Sequence, residues 1–215
     1  MSPAENSDRA AIAAEVGCAA LVDAMGRIHQ HRAHILPLVS PDPGRPLFGP
    51  AATMAYLPYR EDLPQTDFAH LFYQALGEDA EGRVLVLSSG GYPEASHGGG
   101  TKLSRGVHQR IAGVLADGRL RDFDELAGYD FAVWCRGEAT KWGGDTAMPY
   151  AAGIAVEVAG VTVVPGDYIY ADAAGAVVIP RDSIDRVLAE ARKVDAEDAA
   201  ALEQIRSERP EDFWS

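Results

Sequence analysis

An α/β fold is what this 215-residue chain predicts, on three observations. RVLVLSS (Arg83 to Ser89) is a continuous apolar run of the kind found in strands buried on both faces. It leads into a glycine-rich loop and then a helix, an order that sets ligand sites at the carboxyl ends of strands. Both ends of the chain carry apolar residues at helical spacing. No repeat, low-complexity segment or linker divides the sequence, so a single domain over 1–215 is expected.

Taken in order, residues 1–9 are polar and expected to be flexible. From Ala10 to Met25 the spacing predicts helix, with Gly17 able to split it in two. Asp23 suits a cap or a bond to a loop. HQHRAH (His29 to His34) holds three histidines but no carboxylate at ligand spacing. It therefore reads as an exposed linker or subunit contact rather than a metal cluster. Pro37 to Pro50 is a Pro/Gly-rich extended connection, Ala51 to Leu57 a buried strand, and Asp67 to Leu76 a short amphipathic helix. GGYPEASHGGG (Gly90 to Gly100) forms the glycine loop, with Glu94 and His97 its polar groups nearest the following helix.

Ile111 to Ala116 is a second buried strand, followed by an Asp117-Gly118 turn. Asp122 to Leu126 opens a short helix, with Asp124 and Glu125 suited to its first turn. Phe131 to Arg136 is another strand, and residues 137–153 read as a long loop. Residues 154–180 read as consecutive strands, with Asp167 and Asp172 fixing turns through side-chain bonds to the backbone. Ser183 to Ile205 is one long, charged amphipathic helix.

Composition narrows the function. A net charge of −13 argues against a nucleic-acid partner, which needs a basic face. No segment has the apolar length of a membrane span, and the start lacks a secretory signal, so a cytoplasmic location without membrane contact is expected. Cys18 and Cys135 match no metal-site spacing and are expected to be reduced and buried.

Residues 98–125 concentrate the chemistry. Glycines ahead of a helix let its first N–H groups approach an anion. Arg121 brings a rigid five-donor fork suited to a carboxylate or a polarised carbonyl. Asp122 beside it is a hard oxygen ligand of the kind Mg²⁺ uses. Together they point to chemistry on a small oxo-acid, against the plainer alternative of an ion pair or helix cap.

The same residues resemble a known family. Gly100, twenty residues, then Arg121-Asp122 resembles the G-x20-R-D signature of the RraA-like, class II pyruvate aldolase group. DGRLRDFDEL, CAALVDAM, GPAATM and PGDYIYADAAGAVVIP resemble family segments in the same order. The resemblance implies a three-layer β/β/α swivelling domain similar to the phosphohistidine domain, with N-terminal helices and a long C-terminal helix. It also implies a homotrimer or homohexamer with the active site between subunits.

Family members include 4-hydroxy-4-methyl-2-oxoglutarate aldolases that also decarboxylate oxaloacetate, and non-catalytic regulators that bind ribonuclease E. Carried over by position, Asp122 would ligate Mg²⁺ or Mn²⁺, and Arg121 would stabilise the pyruvate-type enolate of a 2-oxo acid. Gly99, Gly100 and the amides of Thr101, Lys102 and Leu103 would hold the substrate carboxylate. Glu197 or Asp198 of a neighbouring subunit would complete the metal's surroundings.

Departures from the family pattern fall on the specificity side. Thr101-Lys102 follows the glycines, and Tyr92, Pro93 or Glu94 stands where the family has an acid. His97 is unusual there and open to an acid/base role or to hydrogen bonding within the loop. A carbon–carbon lyase, a relative repurposed for another enolate reaction, and a non-catalytic regulator are the three readings.

Overall fold

The long strand β2 (Leu47–Pro58) organises the sheet, because three strands pair along it. In the computed structural model, which describes residues 3–36 and 38–214, the chain begins with helix α1 (Pro3–Ile28) and the short strand β1 (His34–Ile35). After β2 come α2 (Phe68–Leu76), β3 (Val84–Leu87), β4 (Ser96–Gly98), α3 (Gly100–Leu103), α4 (Arg105–Gln109) and β5 (Gly113–Ala116). Next are β6 (Arg119–Leu120), α5 (Phe123–Ala127), β7 (Ala132–Trp134) and β8 (Ala147–Ala152). The chain closes with β9 (Val156–Val158), β10 (Val161–Val163), β11 (Tyr168–Asp172), β12 (Gly175–Ile179) and α6 (Ile184–Ser207).

The main sheet runs β1-β12-β11-β2-β3-β5-β7, with β8 added to β2. Strands β2, β3, β5 and β7 are mutually parallel, while β11, β12 and β8 run antiparallel to their neighbours. Alternation along each strand divides the core into layers. Val84 and Val86 of β3, Leu115 of β5 and Ile169 and Ala171 of β11 share one interior, closed by the β9–β10 hairpin. From the opposite faces, Leu85, Leu87 and Val114 meet α2, whereas Tyr168, Tyr170, Val177 and Ile179 meet α1 and α6. Sheet layers with helices outside them match the expected mixed α/β class.

Several boundaries differ from expectation. Helix α1 begins at Pro3, and Arg9 is anchored by a 2.7 Å ion pair to Asp185, so 3–9 are not a loose tail; residues 1–2 lie outside the described ones. Gly17 (φ 74°) does break α1, and the amide of Cys18, first in the second half, donates to Asp172 Oδ2 at 2.9 Å. Asp172 is thus the cap, and Asp23 is an exposed mid-helix residue. Strand β2 starts at Leu47 rather than Ala51, and residues 147–152 are a strand, not loop. Pro149, which has no N–H to donate, is accommodated because β8 pairs on one side only, across a register shift at Ala55/Tyr56.

Both thiols are buried, and burial pushes Cys18 up to about 12 and Cys135 up to about 11. No described helix is long and apolar enough to cross a membrane.

Candidate functional site

The separation between Gly100 and Arg121 has a structural cause. Strands β4 and β6 pair in parallel, with Gly98 opposite Leu120, and the Arg121 amide donates to Gly98 O at 3.0 Å. That small ribbon lays the glycine triplet beside Arg121-Asp122. Asp122 takes the left-handed conformation (φ 64°), which short polar side chains tolerate. Its Oδ2 accepts the Gly100 amide at 3.1 Å, leaving Oδ1 without a hydrogen bond among the described residues. A Cβ on Gly99 would lie 2.7 Å from Asp122 Oδ2, so glycine is required for this approach.

Gly99, Thr101, Lys102, Arg121 and Asp122 line one cleft of about 220 Å³, joined by Ser96 and the Trp142 indole. Among the described residues Arg121 has no ion-pair partner. Lys102 Nζ lies 5.1 Å from the Phe68 ring centroid, a cation–π contact. Burial first, and then Arg105 and Arg121, push the Lys102 ammonium below its usual range, while Asp67 opposes them. The cleft is therefore locally cationic although the chain is acidic overall.

Two expected anion-binding positions are corrected. The Leu103 amide donates to Gly99 O at 3.0 Å and its side chain is buried, so it is not available. The Gly100 amide is spent on Asp122. What remains are the amides of Thr101 and Lys102, in a first turn whose N–H groups have no intrahelical acceptor. Glu125 and Tyr129 stand behind the turn, with Tyr129 Oη 2.6 Å from Glu125 Oε1 and 3.0 Å from Gly100 O.

His97 lies outside the cleft. It is 2 % exposed, with Nδ1 2.8 Å from Ala95 O and Nε2 2.9 Å from Ser89 O. Neither ring nitrogen is open to a substrate, which corrects the acid/base expectation in favour of a loop-fixing role. Burial pushes the imidazole below its ordinary value, and the two carbonyls and Asp117 pull it back up. Gly118 leaves the space the ring occupies: a Cβ there would be 1.9 Å from Nδ1.

Beneath the loop is an ion pair that sequence reasoning missed. Asp117, expected only to turn the chain, is buried, and its Oδ1 accepts from Arg136 Nη2 at 3.0 Å and Nε at 3.1 Å. Its Oδ2 accepts from Ser89 Oγ at 2.8 Å. Glu94 is held by Arg119 at 2.6 Å, and the α5 N-terminus is capped by Glu138, whose Oε1 accepts the Phe123 amide at 3.0 Å.

The far end of α6 is separate from this cleft. Residues 195–209 are exposed throughout. Glu197 pairs with Arg27 of its own chain at 2.6 Å, while Asp198 makes no ion pair among the described residues. His29 is bonded to Ser183 Oγ at 3.0 Å, and no group of three His, Cys, Asp or Glu converges to hold a metal among the described residues. One carboxylate with water around it is nevertheless how Mg²⁺ is often held, so Asp122 with its open oxygen fits that ion's chemistry.

Comparison with known proteins bears on the family and the fold. The family model described as RraA-like, Aldolase/RraA, matches residues 18–178. A protein of Halalkalibacterium halodurans named "Putative 4-hydroxy-4-methyl-2-oxoglutarate aldolase" is 31% identical over 127 residues, covering 59% of this chain and 60% of that protein. A Burkholderia mallei protein of the same name is 35% identical over 135 residues, covering 60% of this chain and 73% of its own length. Among solved structures, Streptomyces coelicolor RraAS2, described as an unusual member of the RNase ES inhibitor RraA protein family, superposes with a TM-score of 0.77. It is 24% identical over 91% of this chain and 96% of that one, a likeness of fold.

Proposed function

This chain belongs to the RraA-like family, and we propose that it is a divalent-metal-dependent carbon–carbon lyase acting on a small 2-oxo acid through a pyruvate-type enolate. The observation that carries this reading is the Arg121 guanidinium, without an ion-pair partner among the described residues, beside Asp122 with one unbonded oxygen, in a cleft that Thr101 and Lys102 also line. The aldolase names of the relatives support it.

The Thr101 and Lys102 amides and the Lys102 ammonium would bind the substrate carboxylate. The Arg121 fork would face the 2-oxo oxygen and stabilise the negative charge that develops there as the C–C bond breaks. Asp122 would hold Mg²⁺ or Mn²⁺, which when bound supplies Lewis-acid polarisation of the 2-oxo group. His97 faces carbonyls and Glu94 faces Arg119, so among the described residues neither is free to serve as a base. The distal hydroxyl proton therefore passes to water, and the enolate carbon takes a proton back to give pyruvate. Asp198 of a second copy would be the freer of the two C-terminal carboxylates to complete the metal's surroundings, since Glu197 is engaged within its chain. Such sharing needs an oligomer, and the assembly proposed is a homotrimer or homohexamer.

The test is pyruvate release from oxaloacetate and from 4-hydroxy-4-methyl-2-oxoglutarate with and without Mg²⁺. Activity that disappears with chelator and in Asp122→Asn supports the reading. Full activity in that variant overturns the role of Asp122. Metal-free protein that co-purifies with a ribonuclease and releases no pyruvate would favour the regulator reading.

A further inference from the structure

A second chamber opens beside the cleft. It measures about 570 Å³ against about 220 Å³, and the two share Ser96 and the Trp142 indole. The charges around it already have partners. Arg119 Nε donates to Glu94 Oε2 at 2.6 Å and its Nη1 to Glu138 O at 3.2 Å, while Lys141 Nζ donates to Asp145 Oδ2 at 2.5 Å. The open surfaces are aromatic: Trp142 is 55% exposed and Tyr92 41%. Tyr92 lies in the loop where the sequence departs from the family pattern.

A second carboxylate entering this chamber would meet no unpaired cation and would be placed near Glu94 and Glu138. An uncharged aromatic ring would instead find flat apolar faces to stack on and room to fit. Resting on the lyase reading above, we propose that this chamber is the subsite for the distal half of the substrate, and that this half is an uncharged aryl group. The substrate class is then 4-aryl-4-hydroxy-2-oxobutanoates, with the 2-oxo acid end in the Arg121 cleft and the ring between Tyr92 and Trp142.

The step balances without a further reactant. The C4 hydroxyl loses its proton, its oxygen becomes the carbonyl of an aryl aldehyde, and the C3–C4 bond breaks. The bonding pair passes to C3 as the pyruvate enolate, and C3 takes up one proton.

The experiment compares pyruvate release, with Mg²⁺, from 4-hydroxy-2-oxo-4-phenylbutanoate, 4-hydroxy-4-methyl-2-oxoglutarate and oxaloacetate. The phenyl aldol is expected to exceed the dicarboxylic aldol in kcat/KM by about 10-fold or more, a difference that pocket contacts can supply. Ala95→Trp, which fills the chamber, is expected to lower the phenyl aldol by ~10-fold while oxaloacetate turnover stays within about twofold. Tyr92→Ala, which removes a stacking face, is expected to raise KM for the phenyl aldol alone. Oxaloacetate turnover without cleavage of the phenyl aldol overturns the subsite. So does a substrate ratio that neither variant changes. Absence of pyruvate from all three substrates overturns the lyase reading itself, and the subsite with it.

Discussion

The cleft around Arg121 and the chamber around Tyr92 share a wall but differ in how their charges are satisfied. In the cleft, among the described residues, Arg121 has no ion-pair partner and one Asp122 oxygen has no hydrogen bond. In the chamber, Arg119 and Lys141 are each bound to a carboxylate of the same chain. Unpaired charge held beside a ligand space is costly unless a ligand answers it, whereas paired charge is ordinary surface. On the reading proposed above, the cleft suits a charged group and the chamber a neutral one. An acidic chain can in this way present a cationic site locally.

The largest expected effect breaks the cleft alone. Arg121→Ala should lower kcat for oxaloacetate by roughly 10²–10³-fold, as loss of one oxyanion donor does. Arg121→Lys should recover little, because an ammonium cannot replace the two-pronged fork. Steady-state pyruvate release measures both.

The next effect concerns the support shared by both regions. Asp117→Ala strands Arg136, whose side chain is 20% exposed, against a buried site, and should cost about 3 kcal/mol of stability in urea unfolding. Glu94→Ala breaks an ion pair whose carboxylate is 78% exposed and should cost at most about 1 kcal/mol. Equal costs for the two would contradict the distinction between a buried strut and a surface pair.

Smaller still is a pH effect at the loop itself. With the His97 pKa depressed by burial, the unfolded chain binds the proton more tightly than the folded one. Its contribution to stability is therefore present above about pH 6.5, the unperturbed value, and is lost as pH falls toward the folded pKa. An NMR titration should place His97 below its value in the unfolded chain, and His97→Gln should flatten this part of the stability profile.

What could be read from the sequence follows the range of the interactions. The 83–89 run and the helical spacing of α6 are local patterns, and both elements form where expected. Gly17 was legible because a positive φ favours glycine. The β4–β6 ribbon was visible only as a spacing between Gly100 and Arg121, without its cause. The Asp117–Arg136 pair left no local mark: its partners lie 19 residues apart, on either side of α5. Likewise the start of α1 depends on Arg9 meeting Asp185, which lies 176 residues away. The mistaken availability of the Leu103 amide arose because a turn's fourth N–H already has an acceptor, Gly99 O. For His97 the sequence left an acid/base role and a loop-bonding role open, because the space that Gly118 gives its ring is a contact between distant residues.

The central claim is that the cleft holds a metal on Asp122 and a 2-oxo acid against Arg121. Crystals grown with Mn²⁺ and oxalate, a flat stand-in for the pyruvate enolate, test it most directly through anomalous scattering. The account predicts a manganese peak at Asp122 Oδ1, with oxalate between it, the Arg121 guanidinium and the Thr101 and Lys102 amides. Manganese bound elsewhere, or oxalate seated away from Arg121 with the cleft left to water, would contradict it.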